Sequence, residues 1–222
     1  MAGSLSRRVV AEAIGTGLLV TAVVGSGIMA QRLSGGNVAL ALLANSIATG
    51  GALVALLLTF EPVSGAHLNP VVTLAFACRG EMGRGAAAAY IAAQTAGAVL
   101  GVWIAHVMFS LPILQLSVHA RSTVGEWVGE FVATFGLLGL IFSTSRHAPS
   151  AIPYAVAAYI TGAYWFTSST SFANPAVTLA RSLTDTFAGI KPDDVPAFIA
   201  AELVGGAAAI LLFGWLLGHG DE

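Results

Sequence analysis

Apolar residues fall into six runs long enough to cross a bilayer, at 9–31, 38–60, 86–110, 126–145, 151–169 and 196–218. Polar breaks separate them at 31–37, 79–84, 116–125, 146–150 and 182–196. The runs predict helices, because a lipid-exposed segment must satisfy its own backbone hydrogen bonds. The alternative, a closed barrel, needs shorter alternating strands. Two further apolar pieces are each only about ten residues long, one between spans two and three and one between spans five and six. The first reads His67-Leu68-Asn69-Pro70-Val71-Val72-Thr73-Leu74-Ala75 and runs on to Arg79. The second reads Phe172-Ala173-Asn174-Pro175-Ala176-Val177-Thr178-Leu179-Ala180 and ends at Arg181. Each Asn-Pro predicts a helix start: Asn is a favoured N-cap, and Pro fits the first helical position, where its missing N–H would have no partner. At ~1.5 Å per residue each piece is ~15 Å long, half of a ~30 Å hydrocarbon core. Two such pieces meeting tip to tip complete one span, an arrangement that suggests a pore.

Each half of the chain therefore runs span, span, half-helix, span. The halves also match in detail. Glu12-Ala13-Ile14-Gly15-Thr16 corresponds to Glu130-Phe131-Val132-Ala133-Thr134, and Tyr90-Ile91-Ala92-Ala93-Gln94 to Phe198-Ile199-Ala200-Ala201-Glu202. Three spans per repeat is an odd number, so the second copy enters the membrane inverted, as in many transport proteins whose broken helices meet at the midplane. The expectation is one channel domain over residues 1–222, with repeats at approximately 1–115 and 116–222.

Composition agrees. The chain is 56% hydrophobic and 9% charged, against roughly 25% charged in soluble domains. Glycine is frequent, 26 of 222 residues, as in closely packed membrane helices. A net charge of −2 gives no sign of a nucleic-acid partner, and the single cysteine, Cys78, excludes an intramolecular disulfide. Arg7-Arg8 ahead of an apolar run does not read as a signal peptide, because Glu12 interrupts the run and no cleavage site stands out. With the termini cytoplasmic, Arg7, Arg8, Arg79, Arg84 and Arg146 face inward and Arg32, Arg121, Arg181 and Lys191 outward. That excess favours this orientation only slightly.

Twin Asn-Pro boxes in an inverted six-span repeat, each half opening with Glu-x-x-x-Thr, resemble the aquaporin (major intrinsic protein) family over essentially the whole chain. The first box is Asn-Pro-Val, Asn69-Pro70-Val71, where the family usually has Asn-Pro-Ala; the second, Asn174-Pro175-Ala176, keeps the usual form. The resemblance implies an all-α membrane fold of six transmembrane helices plus two re-entrant half-helices, assembled as a homotetramer with one pore per protomer. It also implies that Glu12 and Glu130 accept hydrogen bonds from the re-entrant loop backbone. A proton-coupled transporter would instead use such carboxylates along its substrate path. Glu202 matches Gln94, which points to packing or hydrogen bonding.

In a narrow pore each Asn carboxamide can donate to a passing solute while backbone holds its oxygen. Each half-helix N-terminus carries roughly half a positive charge, so at about 5 Å and an effective dielectric of about 20 the two together oppose a monovalent cation by ~3 kcal/mol. Taken singly, each motif is also simply a good cap.

The family's selectivity filter, carried over by position relative to the two asparagines, falls on Thr49, Gly162, Ser171 and Val177. Most members have Arg three residues past the second Asn, where this chain has Val177. An Arg about 5 Å from the path would oppose a cation by another ~3 kcal/mol at the same dielectric, so Val removes about half of the fixed barrier together with a five-donor anchor. Members that lack this Arg include bacterial channels linked to arsenic resistance, and this chain is most similar to that branch. Four small or medium uncharged residues predict a wide constriction. Arg181 lies four residues beyond Val177, on the same helix face, where it can supply a displaced charge at the pore mouth or pair with Asp185 and solvent.

The G-x-x-x-G pairs Gly97–Gly101, Gly125–Gly129 and Gly214–Gly218 predict close helix packing. Trp103, Trp127, Trp165 and Trp215 could anchor at the interface. His67 could gate by protonation or merely line or pack beside the pore, and Cys78 reads as an inert thiol. Neither a metal-ligand cluster, nor a nucleophile–base pair, nor a phosphate loop is visible in the sequence, so the expectations are no cofactor, no metal and no enzyme activity. The reading is a passive channel for small neutral solutes: water, glycerol-like polyols, and arsenic and antimony acids including methylated arsenicals. Alternatives are a water- or ammonia-selective channel, an ion-coupled secondary transporter, or a membrane-junction protein with a closed pore. Its partners are lipid and solute, and its place is a bacterial plasma membrane.

Overall fold

The structure is a computed structural model that describes residues 3–218. Among the described residues all regular structure is helical: α1 (Leu5–Leu33), α2 (Val38–Ser64), α3 (Pro70–Cys78), α4 (Arg84–Met108), α5 (Val124–His147), α6 (Ile152–Phe166), α7 (Pro175–Arg181) and α8 (Val195–Leu216), with short 3-10 turns before α6 and α8. Five helices, α1, α2, α4, α5 and α8, are long and apolar enough to cross a membrane. The sixth expected span, 151–169, is shorter in the structure. α6 has 15 residues, about 22 Å, because Thr167 turns into extended backbone while its hydroxyl donates back to Ala163 O at 2.7 Å.

The starts of the helices follow from their caps. Asn37 Oδ1 accepts Leu40 N at α2, and Thr123 with Glu126 forms a reciprocal capping box at α5. α1 packs against α4 and α2, and α5 correspondingly against α8 and α6; α2 and α6 join the two halves. Each half-helix is held between the two halves, since both α3 and α7 rest on α4 and α8.

Glycine allows the closest of these approaches. A Cβ on Gly97 or Gly101 would collide with the α1 backbone at Ala13 and Gly17, and one on Gly205 would meet the α5 backbone at Phe131 at 2.5 Å. Gly205 stands three residues after Glu202, as Gly97 stands three after Gln94, so both halves use one contact. The other two G-x-x-x-G pairs behave differently: Gly129 faces Ser169 of a loop, and Gly214 faces open space.

Candidate functional site

The loops that lead into the half-helices are built alike. Three residues and one residue before each box Asn, the backbone takes positive φ at non-glycine positions: Ala66 (45°) and Leu68 (47°) in the first, Ser171 (52°) and Ala173 (49°) in the second. Such conformations cost of order 1–3 kcal/mol each and persist only where the surroundings impose them. A buried glutamate does so in each half. Glu12 accepts from His67 N (3.0 Å), Leu68 N (2.7 Å), Ser64 Oγ (2.6 Å) and Gln94 Nε2 (2.7 Å). Glu130 accepts from Phe172 N (2.8 Å) and Ala173 N (2.7 Å). These N–H groups would otherwise be buried without partners.

The boxes meet tip to tip and staple one another. Asn69 Nδ2 donates to Ala173 O at 2.7 Å, and Asn174 Nδ2 donates to Leu68 O at 2.8 Å. Each Oδ1 meanwhile caps its own helix, Asn69 accepting Val71 N and Asn174 accepting Ala176 N and Val177 N. A carboxamide has two N–H donors, so one on each Asn remains after the staple. Pro70 and Pro175 occupy the first turn of α3 and α7, as the motif predicts.

A cavity of about 330 Å³ runs past both asparagines. Two stripes at helical spacing give it length: Thr49, Leu53, Leu57 and Glu61 on α2, and Pro153, Val156, Ile160 and Tyr164 on α6. The α2 stripe alone covers about 18 Å. The lining is mostly apolar, with polar groups at Asn69, Asn174 and His67, at Glu61 and Ser145, and at the end marked by Thr49, Tyr164, Ser171 and Arg181. Pro70, Val71, Pro175 and Ala176 stand outside this lining; Val71 and Ala176 are buried behind it.

Of the four carried-over filter positions, Thr49, Ser171 and Val177 line the cavity and Gly162 does not. The reason is helical phase: Val156, Ile160 and Tyr164 share one face of α6, and Gly162, two residues before Tyr164, points elsewhere. Tyr164 lines the cavity from α6, and its hydroxyl lies 3.2 Å from Thr49 Oγ1 at the cavity end. The chain offers a phenol there rather than the open space expected of glycine. Ser171 Oγ is buried without a hydrogen-bond partner, and Val177 presents an apolar side chain.

Arg181 is not paired with Asp185 and is largely buried at the cavity end. It is 2% exposed, its Nε donates to Ala188 O, and its guanidinium lies 3.4 Å from the centre of the Phe172 ring. The Asp185 carboxylate instead accepts Val118 N. Arg121, which no motif singled out, lies 5.0 Å from the same Phe172 ring and donates to Gly189 O and Ser169 O. Two arginines thus frame one phenyl ring near the end of the cavity. His67 lines the cavity, with Nδ1 3.1 Å from Thr73 Oγ1 and its ring against Phe76 and Tyr90. Cys78 is exposed at the end of α3.

Residues 2–167 match the family described as "Major intrinsic protein". The chain belongs to the major intrinsic protein family. It is 55% identical over 213 residues to aquaglyceroporin AqpS of Rhizobium meliloti (strain 1021), covering 96% of this chain and 91% of that one. It is 30% identical to "Probable aquaporin TIP2-2" of Oryza sativa subsp. japonica, covering 96% and 88%. In structure it resembles the aquaglyceroporin from Plasmodium falciparum, with a TM-score of 0.73 at 19% identity over 97% of this chain and 98% of the other, a likeness of fold. As a major intrinsic protein it is a multi-pass, all-helical membrane channel for small solutes and not an enzyme.

Proposed function

We propose that this channel conducts small neutral solutes passively and in both directions, including solutes bulkier than water: glycerol-like polyols, and neutral arsenic and antimony acids with their methylated forms. The reading includes a single channel domain of two repeats, a homotetramer with one pore per protomer, and a bacterial plasma membrane with both termini cytoplasmic. The observation that carries it is Val177, apolar and on the cavity wall three residues past Asn174. The name aquaglyceroporin, borne by the 55% identical relative, supports the solute class.

The constriction in this reading consists of Thr49, Tyr164, Ser171 and Val177, with Tyr164 in place of Gly162. Arg181, one turn and about 6 Å farther along α7, supplies the positive charge displaced from the position of Val177. A neutral hydroxylated solute meets the two box carboxamides, the free Ser171 hydroxyl and the Arg181 guanidinium as donors, and an otherwise apolar wall. A cation meets that guanidinium and the desolvation cost of the apolar stretch.

The test is Val177→Arg, followed by stopped-flow swelling of proteoliposomes with water, glycerol and an arsenical. Flux of the bulky solutes falls much more than that of water. Equal loss of all three would sink the wide-constriction reading. A second reading, a channel closer to water size, is favoured by the Thr49–Tyr164 contact, since a phenol narrows the path between α2 and α6. Tyr164→Ala separates the two: in the narrow reading glycerol flux rises severalfold, in the wide reading it barely changes.

A further inference from the structure

Both boxes are backed by a polar cluster, and the two clusters differ at one position. In the first, Gln94 Nε2 donates to Glu12 Oε2 at 2.7 Å and to Thr73 Oγ1 at 2.9 Å. In the second, Glu130 replaces Glu12, Thr178 replaces Thr73 and Glu202 replaces Gln94. Glu12, Gln94, Glu130 and Glu202 are all 0% exposed. Glu202 Oε1 accepts from Asn174 N at 3.1 Å and from Thr178 Oγ1 at 2.6 Å, while Oε2 is buried with no donor. The Glu202 carboxyl also neighbours that of Glu130. Arg181 acts on both from a distance, its own Nε being bound to Ala188 O.

Two ionised carboxylates in contact inside a membrane protein repel strongly, and a single shared proton turns that repulsion into a charge-assisted hydrogen bond. The partners show which group holds it. Glu130 uses both oxygens as acceptors for the strained Phe172–Ala173 backbone, the work of an ionised carboxylate. Glu202 has an oxygen to which none of the described residues donates. In the other repeat the same place is filled by an amide that donates to its glutamate.

We propose that Glu202 is a neutral carboxylic acid that donates its proton to Glu130, as Gln94 donates to Glu12, and so positions Asn174. With it, three consecutive backbone N–H groups, at Phe172, Ala173 and Asn174, are held by one proton-bridged pair. Each box then has one negative charge behind it rather than two behind the second, which preserves the exclusion of cations at the asparagines. The argument is independent of the solute class proposed above.

Three proteins in proteoliposomes test it, each checked for folding by circular dichroism and monodisperse elution: wild type, Glu202→Gln and Glu202→Leu. Gln supplies an obligate donor and acceptor in the same shape, so E202Q keeps water permeability within about twofold of wild type. Leu leaves Asn174 N and Thr178 without their acceptor, and water permeability falls about tenfold or the protein fails to fold. In infrared absorption the wild type shows the carbonyl stretch of a protonated carboxylic acid, and E202Q loses it. The proposal is overturned if E202Q is as impaired as E202L, if E202L matches wild type, or if the E202Q spectrum loses no such band. It also fails if a cation leak in E202Q rises above the wild-type level, because the amide preserves both the charge count and the hydrogen bonds.

Discussion

Each box asparagine does three things at once: its oxygen caps a helix, one N–H crosses to the opposite loop, and its side chain lines the cavity. That economy depends on loop backbone held at positive φ, and Glu12 and Glu130 are what hold it. Glu130→Gln replaces one of two acceptors with a donor facing a backbone N–H. The expected loss is about 1–3 kcal/mol, seen as a lower heat-aggregation midpoint in detergent; an unchanged midpoint contradicts the role. Arg181 makes a separate prediction. At about 5 Å from the path and an effective dielectric of about 20, its charge opposes a cation by ~3 kcal/mol, so Arg181→Leu raises potassium leak by roughly tenfold or more in a dye-flux assay. If leak stays at the wild-type level, the displaced charge does not act on the path. The asparagines, the glutamates and Val177 were legible in the sequence because the repeat marks them twice or by contrast. Tyr164 was not, because counting back twelve residues from Asn174 ignores the helical phase of α6; the apolar stripe Pro153, Val156, Ile160 carries that phase. Arg121 carries no sequence signal at all, since its partners Ser169 and Gly189 lie 48 and 68 residues away.

The half-helices are shorter than their apolar runs suggest, nine residues in α3 and seven in α7. In α7 the helix stops at Arg181, where the side chain turns to Ala188 instead of to solvent. Helix pairing within each half rests on glycine where Gln94 and Glu202 face the neighbouring helix. There a side chain has no room, since the neighbour is backbone. Gly97→Leu therefore abolishes folded protein, whereas Gly214→Ala, with nothing within 4 Å of its added carbon, leaves yield and melting unchanged. Comparable loss in both variants, judged by detergent-soluble yield, would show that the contact with α1 is not what matters. The G-x-x-x-G spacing predicted close packing for all three pairs, and among the described residues only Gly97–Gly101 packs against another helix. Spacing places two glycines on one face of a helix; it does not say what that face meets.

At the scale of the molecule, the cavity passes the two asparagines between α2 and α6, and among the described residues the one carboxylate on its lining is Glu61, on α2 three turns from Thr49. Flux should therefore be linear in solute concentration and indifferent to proton and sodium gradients. Uphill accumulation in proteoliposomes carrying either gradient would place the protein among coupled transporters. Five of the six spans and the two Asn-Pro caps followed from the sequence by itself, because hydropathy and capping are local. The tertiary structure alone decided that Tyr164 faces Thr49, that Arg181 is buried over Phe172 beside Arg121, and that Glu202 neighbours Glu130. These are partners of buried polar groups, brought together from positions up to 115 residues apart. Burial forces each such group to find a partner, but which partner it finds depends on how the helices pack, and no local period records that.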